Sequence, residues 1–183
     1  MDRVIHIGSI ATPQLGEVWV ATSERGLVTV EFGVRRGDFE ASVRHQTRAE
    51  VEYVPAGTAR AIDEATCQIA EYLDGGRHNF DLYVDWSVLS SDFQRRALKA
   101  VMAVPYGETR TYAQIAAQIG YSKAPRAVGR ANATNPMPLV IPCHRVVGSD
   151  GKLHGYGGAG GVKTKQWLLD LEGAAAAGRA AVS

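Results

Sequence analysis

The sequence of 183 residues has only two cysteines, Cys67 and Cys143. Two cysteines are too few for a disulfide framework, and a reducing compartment would keep both as thiols. No apolar run is long enough to cross a bilayer, and the charged residues Asp2 and Arg3 argue against a signal peptide at the start. We therefore expect a cytoplasmic or nucleoid-associated protein with no membrane partner, in which a reactive thiol can persist.

Lysine is absent from residues 1–90, where eight arginines stand against fourteen acidic residues and give a net charge of −6. Residues 91–183 carry twelve lysines and arginines against five acidic residues, a net charge of +7. The nearly neutral total therefore conceals a strong asymmetry. A basic second half favours a polyanionic partner, although a patchwork of solvated charges explains the same counts equally well.

Two stretches of the first half alternate apolar and polar residues, the pattern of a strand with one buried face. In residues 17–32 the alternation continues on both sides of a polar turn, which predicts a β-hairpin. Residues 80–86 predict a further strand. Apolar residues recur at helical spacing over 58–73, so a helix is predicted there, with Cys67 off its apolar stripe as structural filler. We expect residues 1–87 to form a small α/β domain with an antiparallel sheet.

The second half has the patterns of four helices. Two of them start at Ser91 and Thr111, each with a glutamine at capping-box spacing, and two more cover 122–132 and 163–172. A helix, a short glycine-containing turn and a second, basic helix are typical of a helix-turn-helix. The basic residues of that second helix are Lys123, Arg126 and Arg130. Such helix pairs are also common in all-α proteins, so this pattern alone leaves DNA binding open.

Residues 141–147 have the sequence IPCHRVV, in which Cys143 precedes His144 between two short apolar stretches. A free cysteine often acts as a small buried hydrophobe, so the pair alone does not establish a nucleophile. A free thiol of pKa about 8.5 is only a few per cent thiolate at neutral pH and needs a base to attack carbon. His144 can supply that base. Zinc is not expected, because the two residues are adjacent and Cys67 is the only other thiol.

Several motifs of the second half resemble those of one known family. In chain order they are FQxxAL from Phe93, PYGET from Pro105, TYAQIA from Thr111, RAVG from Arg126, NP from Asn135 and IPCHRV from Ile141. Together they resemble the DNA-binding and catalytic domain of the O6-alkylguanine-DNA alkyltransferases, also called methylated-DNA-protein-cysteine methyltransferases. The combined motif is highly specific, although each piece alone is weak. The resemblance implies an α+β protein: a ribonuclease-H-like α/β domain, then a mostly helical winged helix-turn-helix domain over 88–173.

The resemblance also implies DNA repair by direct reversal of damage. The Cys143 thiolate would take the alkyl group from O6 of guanine in a flipped-out nucleotide and keep it as a thioether, once per molecule. The family's histidine acts through a bound water and is oriented by a glutamate, and the matching positions are His144 and Glu172. Without the resemblance, Glu172 is a surface acid near a helix end. The expected partner is double-stranded DNA containing O6-alkylguanine, and activity on O4-alkylthymine is left open.

Other family positions map onto single residues of this chain. Arg126 matches the arginine that fills the space vacated in the duplex. Tyr112 matches the tyrosine that assists rotation of the nucleotide and bonds the flipped base, with ordinary packing near a helix start as the alternative. Asn135 matches an asparagine that braces the turn before the active site. The backbone carbonyls of Cys143 and Val146 are implied to accept hydrogen bonds from the guanine amino group.

The segment after the active site departs from the family pattern. Residues 155–161 are rich in glycine and longer than the usual loop, which should cover the alkyl pocket, so the sequence does not set the preferred alkyl size. Tyr156 belongs to this pocket. Gly157 stands where some relatives have a serine that donates to O6, so only its backbone N–H could donate. Lys165 keeps a better spacing for the family's lysine than Lys163.

Three alternatives stay open at this point. A non-enzymatic, alkyltransferase-like protein that marks lesions is disfavoured because such relatives replace the cysteine that is Cys143 here. A winged-helix regulator with an incidental cysteine and a Cys-His hydrolase are the other two.

The glycine-rich residues 155–161 lack the Lys-Ser/Thr ending of a P-loop. We expect no cofactor, no metal, a monomer whose cooperativity on DNA is undetermined, and a disordered tail over 174–183.

Overall fold

The computed structural model describes residues 4–173, and its contacts divide the chain into two compact units between Ser90 and Ser91. This division lies close to the boundary expected after residue 87. The expected disordered tail over 174–183 falls outside the described residues. Within residues 4–173, no helix is both long enough and apolar enough to span a membrane.

The first unit is built on a four-stranded sheet. Its strands are β1 (Val4–Thr12), β2 (Gly16–Ser23), β3 (Gly26–Phe32) and β4 (Glu50–Tyr53), in the spatial order β3-β2-β1-β4. The predicted hairpin is confirmed as β2 and β3, which pair antiparallel, as do β1 and β2. The expectation of an antiparallel sheet is wrong for β4, which runs parallel to β1. Helix α1 (Arg36–Thr47) connects β3 to β4. A helical crossover of this kind lets the chain enter β4 in the same direction as β1.

Helix α2 (Arg60–Leu73) confirms the predicted apolar stripe, because Ile62, Ala65 and Ile69 are buried. Cys67 is exposed, so its interpretation as structural filler is wrong: a residue off the stripe faces solvent. The main core cluster of this unit lies between the sheet and α1. Its buried members are Ile5, Ile7, Trp19, Ala21, Val28, Phe39 and Val43.

The strand predicted over 80–86 is not formed. This stretch makes a single parallel bridge, between Val84 and Leu27 of β3. The Asp85 side chain then accepts a hydrogen bond from the Ser87 N–H at 3.1 Å and begins a short 3-10 helix, Trp86–Val88. Exposed and part-buried side chains do alternate over residues 80–84, but Asp85 is buried, and alternation reports one covered face without requiring a pairing partner.

The second unit is mostly helical. It contains α3 (Asp92–Met102), α4 (Tyr112–Gln118), α5 (Pro125–Ala133) and α6 (Val162–Leu171), with two short parallel strands, β5 (Arg110–Thr111) and β6 (Val146–Val147). Helices α4 and α5 form the predicted helix-turn-helix pair. Together the two units confirm the predicted α+β fold class.

Local signals set the helix starts in this unit. The capping box at Thr111 is complete, since the Thr111 and Gln114 side chains each bond the other's backbone N–H. At Ser91 only half of the box forms, because the Gln94 side chain bonds Thr134 instead. Helix α5 begins later than predicted, with Pro125 in its first turn, because proline favours the first helical position.

Candidate active site

Cys143 opens a buried 3-10 helix, Cys143–Arg145, and is 4% exposed. The turn before it is held by Asn135, whose Nδ2 donates to the Ile141 carbonyl at 2.9 Å and whose Oδ1 accepts from the Met137 N–H at 3.0 Å. Within this turn Leu139 has a φ of 74°, a left-handed conformation that is uncommon for a bulky residue. Asn135 thus occupies the bracing position that the resemblance implies.

The surroundings of the Cys143 thiol oppose each other in their effect on its pKa. Burial raises the pKa, because it disfavours the charged thiolate. The Asn135 side chain, the positive charge of Lys165 and the N–H groups of Cys143 and His144 act in the opposite direction. Burial dominates, so the resting site holds a thiol that must lose its proton before it can attack.

His144 and Glu172 form a fully buried pair. Nε2 of His144 lies 2.8 Å from Oε1 of Glu172, and neither side chain is exposed to solvent. Burial lowers the pKa of His144 more than the neighbouring carboxylate raises it. The imidazole is therefore neutral near pH 7, and we assign its proton to Nε2, which donates to the carboxylate. Nδ1 is then the ring nitrogen that can accept a proton.

Arg145 completes this charged cluster, although the sequence interpretation gave it no role. Its Nε and Nη2 atoms each donate to Glu172 at 2.9 Å, and its Nη1 donates to the Val104 carbonyl at 2.6 Å. Glu172 also accepts from the Gly107 N–H at 3.2 Å. Glu172 is thus fixed from three sides. The signal for Arg145 was its position directly after the Cys-His pair, but a surface arginine there would look the same in sequence.

Lys165 is fully buried beneath the site, whereas Lys163 is exposed. Its Nζ donates to the Val146 carbonyl at 2.6 Å and to the His154 carbonyl at 3.1 Å. Burial lowers the pKa of Lys165 to about 8. The spacing argument for Lys165 over Lys163 agrees with this placement, and the ammonium group lies close enough to Cys143 to favour the thiolate.

The carbonyls of Cys143 and Val146, implied to bind the guanine amino group, already accept hydrogen bonds within the protein. The Val146 N–H donates to the Cys143 carbonyl, and Lys165 donates to that of Val146. A carbonyl oxygen has two lone pairs, so each can accept a second bond.

Two tyrosines and one glycine complete the pocket. Tyr112 is the first residue of α4, and burial together with the nearby Cys143 raises its pKa. The same two causes raise the pKa of Tyr156 well above its ordinary value, and within residues 4–173 its buried hydroxyl has no hydrogen-bond partner. A Cβ on Gly157 would lie 2.6 Å from the Ala133 carbonyl. The serine of some relatives therefore cannot fit here without a backbone shift.

The three basic residues predicted to bind DNA are all exposed. Lys123 lies in the turn before α5, and Arg126 lies in its first turn. Arg126 and Tyr112 line the same cavity, of about 590 Å³, together with Gly129 and parts of residues 148–155. Arg130 lines a different groove, beside Ser91 and Phe93. The structure therefore brings Arg126, but not Arg130, next to the active-site tyrosine.

The described residues do not bring three His, Cys, Asp or Glu side chains together in the way a metal ion would require. Besides Tyr112 and Tyr156, the site holds the thiol of Cys143, the imidazole of His144, the carboxylate of Glu172 and the cations of Arg145 and Lys165. This set can deprotonate a buried thiol and stabilise the thiolate. It is suited to a nucleophilic displacement by sulfur.

Comparison with known proteins agrees with this chemistry. Residues 92–174 match the family described as "6-O-methylguanine DNA methyltransferase, DNA binding domain". A methylated-DNA–protein-cysteine methyltransferase of Methanosarcina barkeri is 40% identical over 158 residues, which cover 86% of this chain and 91% of that protein. One of Mycobacterium tuberculosis is 40% identical over 169 residues, which cover 92% and 93%.

A crystal structure of Mycobacterium tuberculosis OGT in complex with DNA matches the fold with a TM-score of 0.75 and 37% identity, covering 92% of each chain. The resemblance drawn from the motifs is thereby confirmed, and the match extends through the first unit as well. Identity at this level along most of both chains shows that this protein is an enzyme of the methylated-DNA–protein-cysteine methyltransferase family.

Proposed function

We propose that this protein repairs O6-alkylguanine in double-stranded DNA by transferring the alkyl group irreversibly to Cys143, once per molecule. The observation that carries the proposal is the buried thiol followed directly by a neutral histidine, His144, which Glu172 orients at 2.8 Å. A buried base with a lowered pKa is available at neutral pH to take the thiol proton. The names of the relatives support the same reaction for this chain.

The reaction is a displacement at carbon. The Cys143 proton passes to Nδ1 of His144, directly or through a water, and the sulfur attacks the alkyl carbon. The bond from that carbon to O6 breaks, and its electron pair stays on the guanine, which takes up the proton and leaves as normal guanine. The new carbon–sulfur bond is a thioether, and general acid–base groups do not hydrolyse a thioether. The protein is therefore consumed in the reaction.

The nucleophile is buried, so a base inside a duplex cannot reach it and the damaged nucleotide must leave the stack. We infer that α5 lies at the DNA, with Arg126 filling the vacated space while Tyr112, on the same cavity, contacts the extruded nucleotide. A relative's crystal structure in complex with DNA supports DNA as the partner. We expect a monomer that acts on nucleoid DNA, bound mainly through phosphates and therefore weakened by salt.

The test is the intact mass of the protein after incubation with a duplex that contains one O6-methylguanine. We expect one adduct of about 14 Da, a single added CH₂ unit, on the natural protein and none on Cys143→Ala. Cys67→Ala is the matched control, because Cys67 is exposed on α2, and it should gain the same mass as the natural protein. An adduct that depends on Cys67 would overturn the proposal. Tight lesion binding without any adduct would favour the lesion-marking alternative.

A further inference from the structure

Arg145 takes no part in the proposed reaction, although it follows the Cys143–His144 pair directly. Its side chain is 6% exposed, and its guanidinium is held from several sides. Nε lies 2.9 Å from Oε2 of Glu172, and Nη2 lies 2.9 Å from Oε1. Nη1 donates to the Val104 carbonyl at 2.6 Å. Because arginine stays protonated in proteins, this side chain places a fixed positive charge inside the site.

Arg145 and His144 share one carboxylate. Oε1 of Glu172 lies 2.8 Å from Nε2 of His144 and also accepts from Nη2 of Arg145. A two-pronged contact of this kind fixes the plane of a carboxylate as well as its position. The ring of Tyr106 lies on the other side of the guanidinium, 5.7 Å from its carbon. Arg145 therefore aims the Glu172 oxygen that receives the imidazole N–H.

The charges around His144 decide which protonation state it adopts. Burial lowers its pKa most, the Glu172 carboxylate raises it, and the positive charges of Arg145 and Lys165 lower it. The phenol of Tyr106 faces the same cluster, and burial and the Glu172 charge raise its pKa, so it stays uncharged near pH 7. In a poorly solvated site, Glu172 alone would draw a proton onto the imidazole. Arg145 offsets the charge of that carboxylate.

The thiol of Cys143 and the imidazole of His144 titrate as a coupled pair, because they exchange a proton in the reaction. The reactive state holds one proton on the pair. A second proton gives a thiol beside an imidazolium, in which neither a thiolate nor a base is present. A fixed positive charge nearby opposes this second proton, whichever group takes it. Arg145 therefore extends the reactive state to lower pH.

We propose that Arg145 is a positioning residue of the alkyl transfer, which aims Glu172 at His144 and uses its fixed charge to hold the Cys143–His144 pair in the one-proton state. This inference rests on the proposed function, since it concerns the step in which His144 takes the thiol proton. Loss of the charge should raise the acid limit of the reaction, the pH below which the rate falls. Loss of the two-pronged geometry alone should lower the rate without moving that limit.

The experiment measures single-turnover methyl transfer from a duplex with O6-methylguanine, from about pH 8 down to about pH 5. We expect the rate of Arg145→Met to fall about tenfold further than that of the natural protein over this range, because each unit of raised pKa is a tenfold change. Arg145→Lys keeps the charge without the planar fork, so it should be slower at every pH with nearly the natural acid limit. Arg96→Met, which removes an exposed arginine paired with Asp92 on α3, should reproduce the natural profile.

Nitrogen NMR of the His144 ring gives a measurement without DNA, with the signal assigned by its loss in His144→Gln. The natural protein should show a neutral ring with its proton on Nε2 at pH 7 and below, and Arg145→Met should take up a second ring proton at higher pH than the natural protein. An imidazolium in the natural protein at pH 7 would overturn the inference. If Arg145→Met does not fold, Arg145→Gln, which keeps a donor without the charge, is put through both measurements.

The kinetic profiles separate a positioning role from a purely structural one. A uniform loss of rate in Arg145→Met, with the natural acid limit, would assign Arg145 to the support of the fold and overturn the inference. A natural protein that transfers no methyl group from O6-methylguanine would instead overturn the proposed function. The NMR comparison would still test the effect of the Arg145 charge on His144 in that case.

Discussion

The two units of this protein differ in how many charged side chains they bury. In the first unit, six ion pairs between described residues are each solvent-exposed to some degree. They are His6–Glu52, Arg35–Asp38, Arg36–Glu40, Arg44–Glu40, Arg60–Glu64 and Arg77–Glu71. Among the described residues of the second unit, four ionisable side chains besides Cys143 are 0–6% exposed: His144, Arg145, Lys165 and Glu172. Both units carry exposed ion pairs, such as Arg110–Glu108 in the second, but among the described residues only the second packs several ionisable side chains around a buried thiol.

This difference reflects the cost in stability of burying charged groups next to a reactive thiol. Surface pairs contribute little to stability, because water screens them. Buried charges lose hydration, and the cost is recovered only with good geometry and additional hydrogen bonds. Within residues 4–90 the one comparable group is Asp85, which accepts hydrogen bonds from the hydroxyls of Ser23 and Ser87. A single hydrogen-bonded carboxylate supports a turn, while the cluster at Glu172 adjusts the pKa values that the reaction needs.

The largest expected effect separates the two kinds of ion pair. Glu172→Gln leaves the Arg145 charge buried without a counter-charge, so the free energy of unfolding should fall by about 3–5 kcal/mol. Glu71→Gln breaks an exposed pair with Arg77 and should cause a far smaller loss. Denaturant unfolding of both variants measures the contrast. Similar losses would show that burial does not distinguish the two clusters.

The second expected effect is a pH dependence that belongs to Lys165. Its pKa is about 8 in the folded protein against an ordinary 10.5. Between these values the unfolded chain holds a proton that the folded protein has lost, so stability rises as the pH rises from 8 to 10.5. Relative to that of Lys165→Met, the free energy of unfolding of the natural protein should increase by up to about 3 kcal/mol between pH 8 and 10.5. Unfolding curves at several pH values give the difference.

Lys163→Met is the control for this pH dependence, because Lys163 is the exposed lysine of the same helix. Its stability relative to the natural protein should stay constant from pH 8 to 10.5. If the free energy of unfolding of Lys165→Met rose with pH as much as that of Lys163→Met, the dependence would belong to some other group.

The third and smallest expected effect concerns the glycine-rich loop of residues 155–161. Gly157→Ala places a Cβ 2.6 Å from the Ala133 carbonyl, so the loop must move away from α5. We expect methyl transfer to slow by about tenfold or more, since small displacements of positioning groups are costly to rate. Gly155→Ala meets no atom within 4 Å and should leave the rate nearly unchanged. Equal rates for the two variants in a single-turnover assay would show that this contact does not position the pocket.

Elements with strong local signals were predictable, and those defined by pairing were not. The hairpin of β2 and β3, the stripe of α2 and the capping box of α4 follow from neighbouring residues. Helix α1 and the short strand β4 were missed. The strand prediction for residues 80–86 was wrong. Alternation indicates a covered face, but it does not show whether a neighbouring strand edge is free to pair.

The candidate site divides in the same way. The sequence by itself determined the adjacency of Cys143, His144 and Arg145, and its family motifs implied the turn that Asn135 braces, because these contacts span only a few residues. The family resemblance implied a role for Glu172, but only the tertiary structure decided that Glu172 meets His144 across 28 positions and that both are buried. The physical reason is that desolvation and long-range hydrogen bonding depend on which atoms surround a group, and a linear pattern does not contain that information.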